Sequence, residues 1–125
     1  MSTKTETNEF VLERTTWRNE KELGYSYAHY GFMVYRPNGY SLPKGWISSM
    51  NAMLVKPDSH NSRFIDDEVS IEFAIQSPTG DASDHCRYTI PCATWGQAIE
   101  IVDNYRKMVL DMIKAYEAEK KYLYT

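Results

Sequence analysis

"KGWISSMNAMLV", Lys44 to Val55, is the stretch on which the fold turns, because it can be read with two periods. At helical spacing Trp46, Met50, Met53 and Leu54 fall at i, i+4, i+7 and i+8, which is one apolar face. Pro43 then sits in the first turn after Ser41. This spacing predicts a short helix over about Lys44–Val55, with a strand as the alternative, and Lys56 to Ser62 as the loop that follows.

Upstream, Phe10 to Trp17 is β-branched and aromatic, as a strand is, and Tyr25 to Tyr35 is a longer strand. Pro37 and the Asn38-Gly39 turn pair end it, and the two strands read as a hairpin. Residues 1–8 are polar and read as a frayed N-terminus ahead of a single domain, 9–125. Downstream, Val69, Ile71, Phe73 and Ile75 alternate with Ser70, Glu72, Ala74 and Gln76, the pattern of a half-buried strand. Cys86 to Ile90 pairs back on it and Pro91 stops it.

Thr94-Trp95-Gly96-Gln97 has capping-box spacing and opens a helix predicted over about 95–124. Ala98, Val102, Tyr105, Val109, Met112 and Tyr116 form its expected seam on the sheet. The expected fold class is therefore α+β: a four-stranded antiparallel sheet made of two hairpins, a short middle helix and a long C-terminal helix, in the order β-β-(α)-β-β-α. A compact domain of 125 residues is about 36 Å across, whereas 30 helical residues span about 45 Å. Met108, Leu110 and Ile113 widen the apolar arc beyond the seam. With Tyr122, Leu123 and Tyr124 they are the expected self-association surface, making a homo-oligomer, dimer or higher.

Composition narrows the function. Hydrophobic residues are 42% and charged residues 25%, ordinary for a globular domain, but 10 Tyr among 125 residues suits half-wet contact surfaces. Net charge is −3, and the imbalance lies in residues 44–92, where Asp58, Asp66, Asp67, Glu68, Glu72, Asp81 and Asp84 outnumber Lys44, Lys56, Arg63 and Arg87. The chain thus lacks the basic face of a duplex-DNA binder. No run approaches the ~20 apolar residues of a membrane span. The polar first eight residues lack the apolar core of a signal peptide, so no membrane and a cytoplasmic location are expected. Cys86 and Cys92 form no metal-ligand spacing and read as reduced thiols.

No chemical motif stands out. His29, His60 and His85 are not spaced as ligands, and neither GxSxG, SxxK, GxGxxG nor GxxxxGK[ST] is present. No catalytic residue, metal or cofactor is expected. Asp66-Asp67-Glu68 lacks the register of a calcium loop and reads as gatekeeping charge before a hydrophobic strand, or as an acidic patch that docks a basic partner. In "GYSYAHYGFMVYR", Tyr25, Tyr27, His29, Met33 and Tyr35 share one strand face, while Ser26, Ala28, Tyr30, Phe32 and Val34 share the other, expected to be core. The first face is a candidate partner surface.

The leading expectation is a small non-catalytic interaction protein that self-associates and acts by binding another macromolecule, a protein partner, in the manner of a phage-type or accessory inhibitor or adaptor. The alternative is single-stranded nucleic acid or a nucleotide stacked on the aromatic face, with Arg14, Arg18 or Arg36 holding phosphates.

Overall fold

The fold is a six-stranded antiparallel meander with one long helix across a face. A computed structural model describes residues 4–19, 25–57, 68–77 and 85–123. The strands are β1 (Lys4–Glu6), β2 (Val11–Asn19), β3 (Tyr25–Tyr35), β4 (Ile47–Pro57), β5 (Glu68–Gln76) and β6 (His85–Cys92), in sheet order β1 to β6, followed by α1 (Trp95–Leu123). Among the described residues the expected four strands and middle helix are therefore corrected to six strands and one helix. The stretch Lys44–Val55 is strand for a physical reason. As β4 it pairs on both sides, with β3 and β5, so its backbone groups are satisfied by two neighbours. Its side chains also alternate: Met50 and Ala52 are 3% and 0% exposed, while Ser49 and Asn51 take the opposite face. The helical spacing of Trp46, Met50 and Met53 is real but subordinate to the period of two. The second difference is β1, in the segment expected to fray. Its three residues are exposed, and it adds to the edge of β2 with Lys4 opposite Glu13 at 3.4 Å.

One sheet face carries Leu12, Phe32, Val34, Met50, Ala52 and Ile71, all buried, and α1 lies against it, mainly over β3 and β4. The helix begins as its capping box requires: the Gln97 N–H donates to Thr94 Oγ1 at 3.1 Å, and Gln97 Oε1 accepts from the Ala93 N–H at 3.1 Å. Ala98, Val102, Val109 and Ile113 are its buried stripe, at 0–2% exposure. The expected seam holds at Ala98, Val102, Val109 and Tyr116 but shifts elsewhere. Ile113 takes the core position expected of Met112, and Tyr105 is 39% exposed.

The C-terminal half of α1 is pinned by an aromatic cluster around one cation. Arg36 lies over the Phe10 ring at 4.8 Å and the Tyr116 ring at 5.6 Å, and Trp46 stacks on Phe10 at 5.4 Å. The Arg36 guanidinium donates to the Ser41 carbonyl at 2.9 Å and to the Tyr116 hydroxyl at 3.1 Å. Glu117 completes the clamp by accepting from the Thr7 hydroxyl at 2.5 Å and the Glu9 N–H at 3.1 Å.

At the middle of the sheet, Thr15, Gly31 and Asn51 lie in one cross-strand row, and the Thr15 hydroxyl donates to Asn51 Oδ1 at 3.0 Å across the glycine. A Cβ on Gly31 would overlap both Asn51 Oδ1 and the Met50 carbonyl. One obstacle is backbone, so side-chain motion cannot relieve it. Gly31→Ala is expected to destabilise the fold by about 3 kcal/mol, and Gly31→Ala with Asn51→Ala is expected to remain well below wild type in urea unfolding. Arg36→Met, which keeps the stem and removes the charge and donors, should cost about 2–3 kcal/mol and lower the urea midpoint.

Candidate interaction surface

An apolar trough runs between α1 and the β5–β6 end of the sheet. Its floor is the helix-side face of those strands: Ile71 and Phe73 from β5 and Ile90 and Cys92 from β6, with Met50 from β4 behind. Its far wall is Gln97, Ile101 and Tyr105 of α1. The cavity is about 460 Å³, within the size range of small-molecule pockets. Phe73 and Tyr88 stack across the strand pair at 5.3 Å, which holds Tyr88 upright at the trough's rim.

The rim is unusually apolar. Tyr88 is 49% exposed, Ile90 48%, Tyr105 39% and Met108 43%; Ile90 and Tyr105 line the trough from its two sides, Tyr88 stacks on its Phe73, and Met108 follows Tyr105 along the helix. Scattered exposed apolar side chains are ordinary, but a contiguous group around a groove marks a contact surface. The helix contributes to it systematically. At 3.6 residues per turn, Gln97, Ile101, Asn104, Tyr105, Met108, Met112 and Ala115 line the flank of α1 that faces β6, and this row carries no charge until Glu119. Gln97 spends its carbonyl oxygen on the helix cap, so its polarity is partly used before any partner arrives.

The residues expected from sequence are distributed differently. Met108 is exposed on the rim, but Leu110 packs half-buried against the core on the opposite flank and Ile113 is fully buried within the chain. Ile113 is therefore a core residue and not a surplus one. The side chains of Tyr122 and Leu123, and Tyr124 as a whole, lie outside the described residues. Tyr88 and Ile90 were not singled out from sequence. Their alternation with Arg87 and Thr89 was readable, but exposure depended on how far the helix reaches across the sheet.

The expected aromatic surface of β3 lies on the sheet face without the helix. His29, Met33 and Tyr35 take that face, while Ala28, Tyr30, Phe32 and Val34 take the helix side, as the two-residue period required. Tyr25 and Tyr27 occupy β3 opposite Pro57 and Val55, but their side chains lie outside the described residues, as does that of Arg18. Arg14 and Arg36 are on the helix side, Arg14 over Tyr30 and Arg36 inside the aromatic cluster. The structure thus separates those two arginines from His29, Met33 and Tyr35 by the thickness of the sheet. Glu68 is exposed at the start of β5, and Asp66 and Asp67 lie outside the described residues. A shallow hollow of about 300 Å³ over Gly31 is lined by Thr15, His29, Met33, Ser49 and Asn51.

Among the described residues no group of three His, Cys, Asp or Glu side chains is arranged to hold a metal, and no helix is long and apolar enough to cross a membrane. The chain matches no protein-family model, and no curated protein or solved structure shows significant similarity to it.

His29 is a titratable group on the helix-free face. Burial lowers its pKa from the ordinary 6.5, and the nearby Glu72 carboxylate opposes that shift. A depressed folded pKa means the neutral ring is favoured by folding. The stability it contributes is present above pH 6.5 and is lost as pH falls through the folded value. An NMR titration should place His29 below 6.5, and His29→Asn should flatten the fall in stability on the acid side of that value. A titration at or above 6.5 would remove this account.

Proposed function

We propose that the protein is a non-catalytic interaction module that self-associates by burying the trough between α1 and β5–β6 against the same trough of a second copy. The observation that carries this reading is the apolar trough lined by Ile90 and Tyr105, with exposed Tyr88 stacked on its Phe73 and exposed Met108 following Tyr105 on the helix. A two-fold interface needs one surface that tolerates its own image. An uncharged patch meets that condition with no like-charge repulsion, whereas a strongly charged patch would not. The mixture of concave floor and projecting Tyr88 and Met108 supplies both the ridge and the groove that such a contact requires.

The edge of the sheet supports burial of the face over strand addition. Pro91 removes a backbone donor from β6, and the Arg87 side chain, 3.4 Å from Glu72, adds charge on the other face. Proline and charge are the usual guards against edge pairing. A standard interface buries about 800 Å² per partner, more than the rim's four side chains provide, so Pro91, Cys92 and Met112 belong to the contact as well. The unpaired thiols Cys86 and Cys92 fit a reducing, cytoplasmic setting. Dimerisation on this flank leaves the helix-free face, with His29, Met33 and Tyr35, available for a macromolecular partner. The reading as a single-strand nucleic-acid platform is not favoured, because Arg14 and Arg36 do not share that face.

Light scattering on the full chain at high concentration should give a mass near twice that of one chain. Met108→Glu and Tyr88→Glu should each shift it to the monomer with an unchanged far-UV spectrum, and Lys114→Glu should not. A wild-type mass of one chain would overturn the proposal.

A further inference from the structure

The sheet face away from α1 has a hollow at its centre, on the opposite side of the sheet from the trough. Gly31 is its floor. In the pairing register Thr15 and Asn51 flank Gly31 across the strands, while His29 and Met33 stand two residues before and after it along β3. All four line the hollow, together with Ser49, which lies opposite Met33. A side chain at position 31 is barred by Asn51 Oδ1 and the Met50 carbonyl, so the space stays open. Its volume is about 300 Å³, the lower end of the range for small-molecule sites.

The polar groups around the floor are set to read an edge. The Thr15 hydroxyl donates to Asn51 Oδ1 at 3.0 Å, which holds the carboxamide beside Gly31 and leaves the Thr15 oxygen as an acceptor. Asn51 Nδ2 and the Ser49 hydroxyl have no partner among the described residues, and they add donors next to that acceptor. The walls are of another kind. A His29 imidazole, kept neutral at pH 7 by burial, and the Met33 thioether are surfaces that suit contact with the face of a ring. Four residues of strand set their Cα positions about 13 Å apart. A flat ring between them needs about 7–8 Å between facing atoms, two carbon–carbon contacts, and the two side chains take up the remainder. The hollow is one ring wide.

Charge selects the class of ring. Among the described residues that line the hollow there is no carboxylate, lysine or arginine. The adjoining carboxylates in register, Glu13 beside Met33 and Glu72 beside Asn51, are each 3.4 Å from a cation, Lys4 and Arg87. The site therefore offers no net charge to a phosphate or to a carboxylic acid. We propose that the hollow over Gly31 binds an uncharged nucleobase, as the free base or the nucleoside, standing on edge between His29 and Met33. Its amino group donates to the Thr15 oxygen, and a ring nitrogen accepts from Asn51 Nδ2. Adenine and cytosine carry that pair, an amino donor beside a ring-nitrogen acceptor. The site is on the face that self-association through the trough leaves open, so it does not depend on the oligomeric state.

NMR titration of the full chain with adenosine, cytidine, AMP and ribose tests the site. Adenosine or cytidine should move the Met33 methyl and His29 ring resonances saturably, through the ring current of the bound base, and leave the Met108 methyl on the other face unmoved. Ribose should move neither, and AMP should bind no more tightly than adenosine. Met33→Ala and Ser49→Ala should each weaken nucleoside binding by roughly fivefold or more. Met33 is 38% exposed and Ser49 half-buried, so both variants are expected to fold, which an unchanged far-UV spectrum checks. Thr89→Ala, on the same face but outside the hollow, should leave binding unchanged. The site is overturned by the absence of a saturable shift with both nucleosides, by shifts at Met108 in place of Met33, or by equal binding of ribose. Tighter binding of AMP than of adenosine would overturn the uncharged ligand.

Discussion

A helix with its side chains is about 10–12 Å across, whereas six strands spaced about 4.8 Å apart make a sheet about 24 Å wide. Half the sheet must therefore stay uncovered wherever a single helix lies along it. In this chain the helix lies mainly over β3 and β4 and reaches β5 and β6 more thinly, and Tyr88 and Ile90 stay exposed at the β6 end. The trough, its apolar rim and the case for a second copy all descend from that mismatch of widths. A four-stranded sheet under the same helix, with a second helix beside it, would have had little surface left over.

The position of the helix is set by its anchors, and these lie on the far side from β6. Arg36 ties Tyr116 to Phe10 and Ser41, Glu117 ties down Thr7 and Glu9, and Asp103 ties to Tyr30. Most of these contacts involve groups enclosed enough that losing one partner strands the other, so the helix cannot slide toward β6 without exposing a guanidinium or a carboxylate to an unpaired state. The buried stripe Ala98, Val102, Val109 and Ile113 adds dispersion and apolar burial but would tolerate a small roll. The polar anchors are what select one placement among several that the apolar stripe allows.

Much of this was legible in the residues. The alternation over Glu68–Gln76 and Tyr25–Tyr35 assigned both strands and both faces, and Thr94 with Gln97 located the start of the helix. The strand Ile47–Pro57 was misread because four apolar residues happened to fit a helical face, and only its two neighbouring strands decide otherwise. β1 escaped notice because an exposed edge strand has no apolar signal to read. Ile113 looked surplus because a seam counted strictly as 4-3-4-3-4 lands on Met112, whereas the real helix turns its face by one residue to meet the aromatic cluster. The candidate site was the least legible part. Met108 could be named from the helix alone, but Tyr88 and Ile90 join it only through the distance that α1 leaves uncovered.

The charge pattern of α1 turns the asymmetry of the fold into two surfaces of different kind. Asp103, Arg106, Lys107, Asp111 and Lys114 all lie on the β2 side or outward, and the β6 side is uncharged from Gln97 to Ala115. Solubility alone would be served by charge on either flank, and the open β6 flank is where exposed Tyr105 and Met108 stand most in need of it. Keeping that flank free of charge is consistent with a surface that spends its time covered. The buried stripe between the flanks separates the two, so a change at Met108 and a change at Arg106 act on one helix without sharing a neighbour in the trough. Their effects should therefore add, and a failure of additivity would mean that docking at one flank shifts the helix against the anchors on the other.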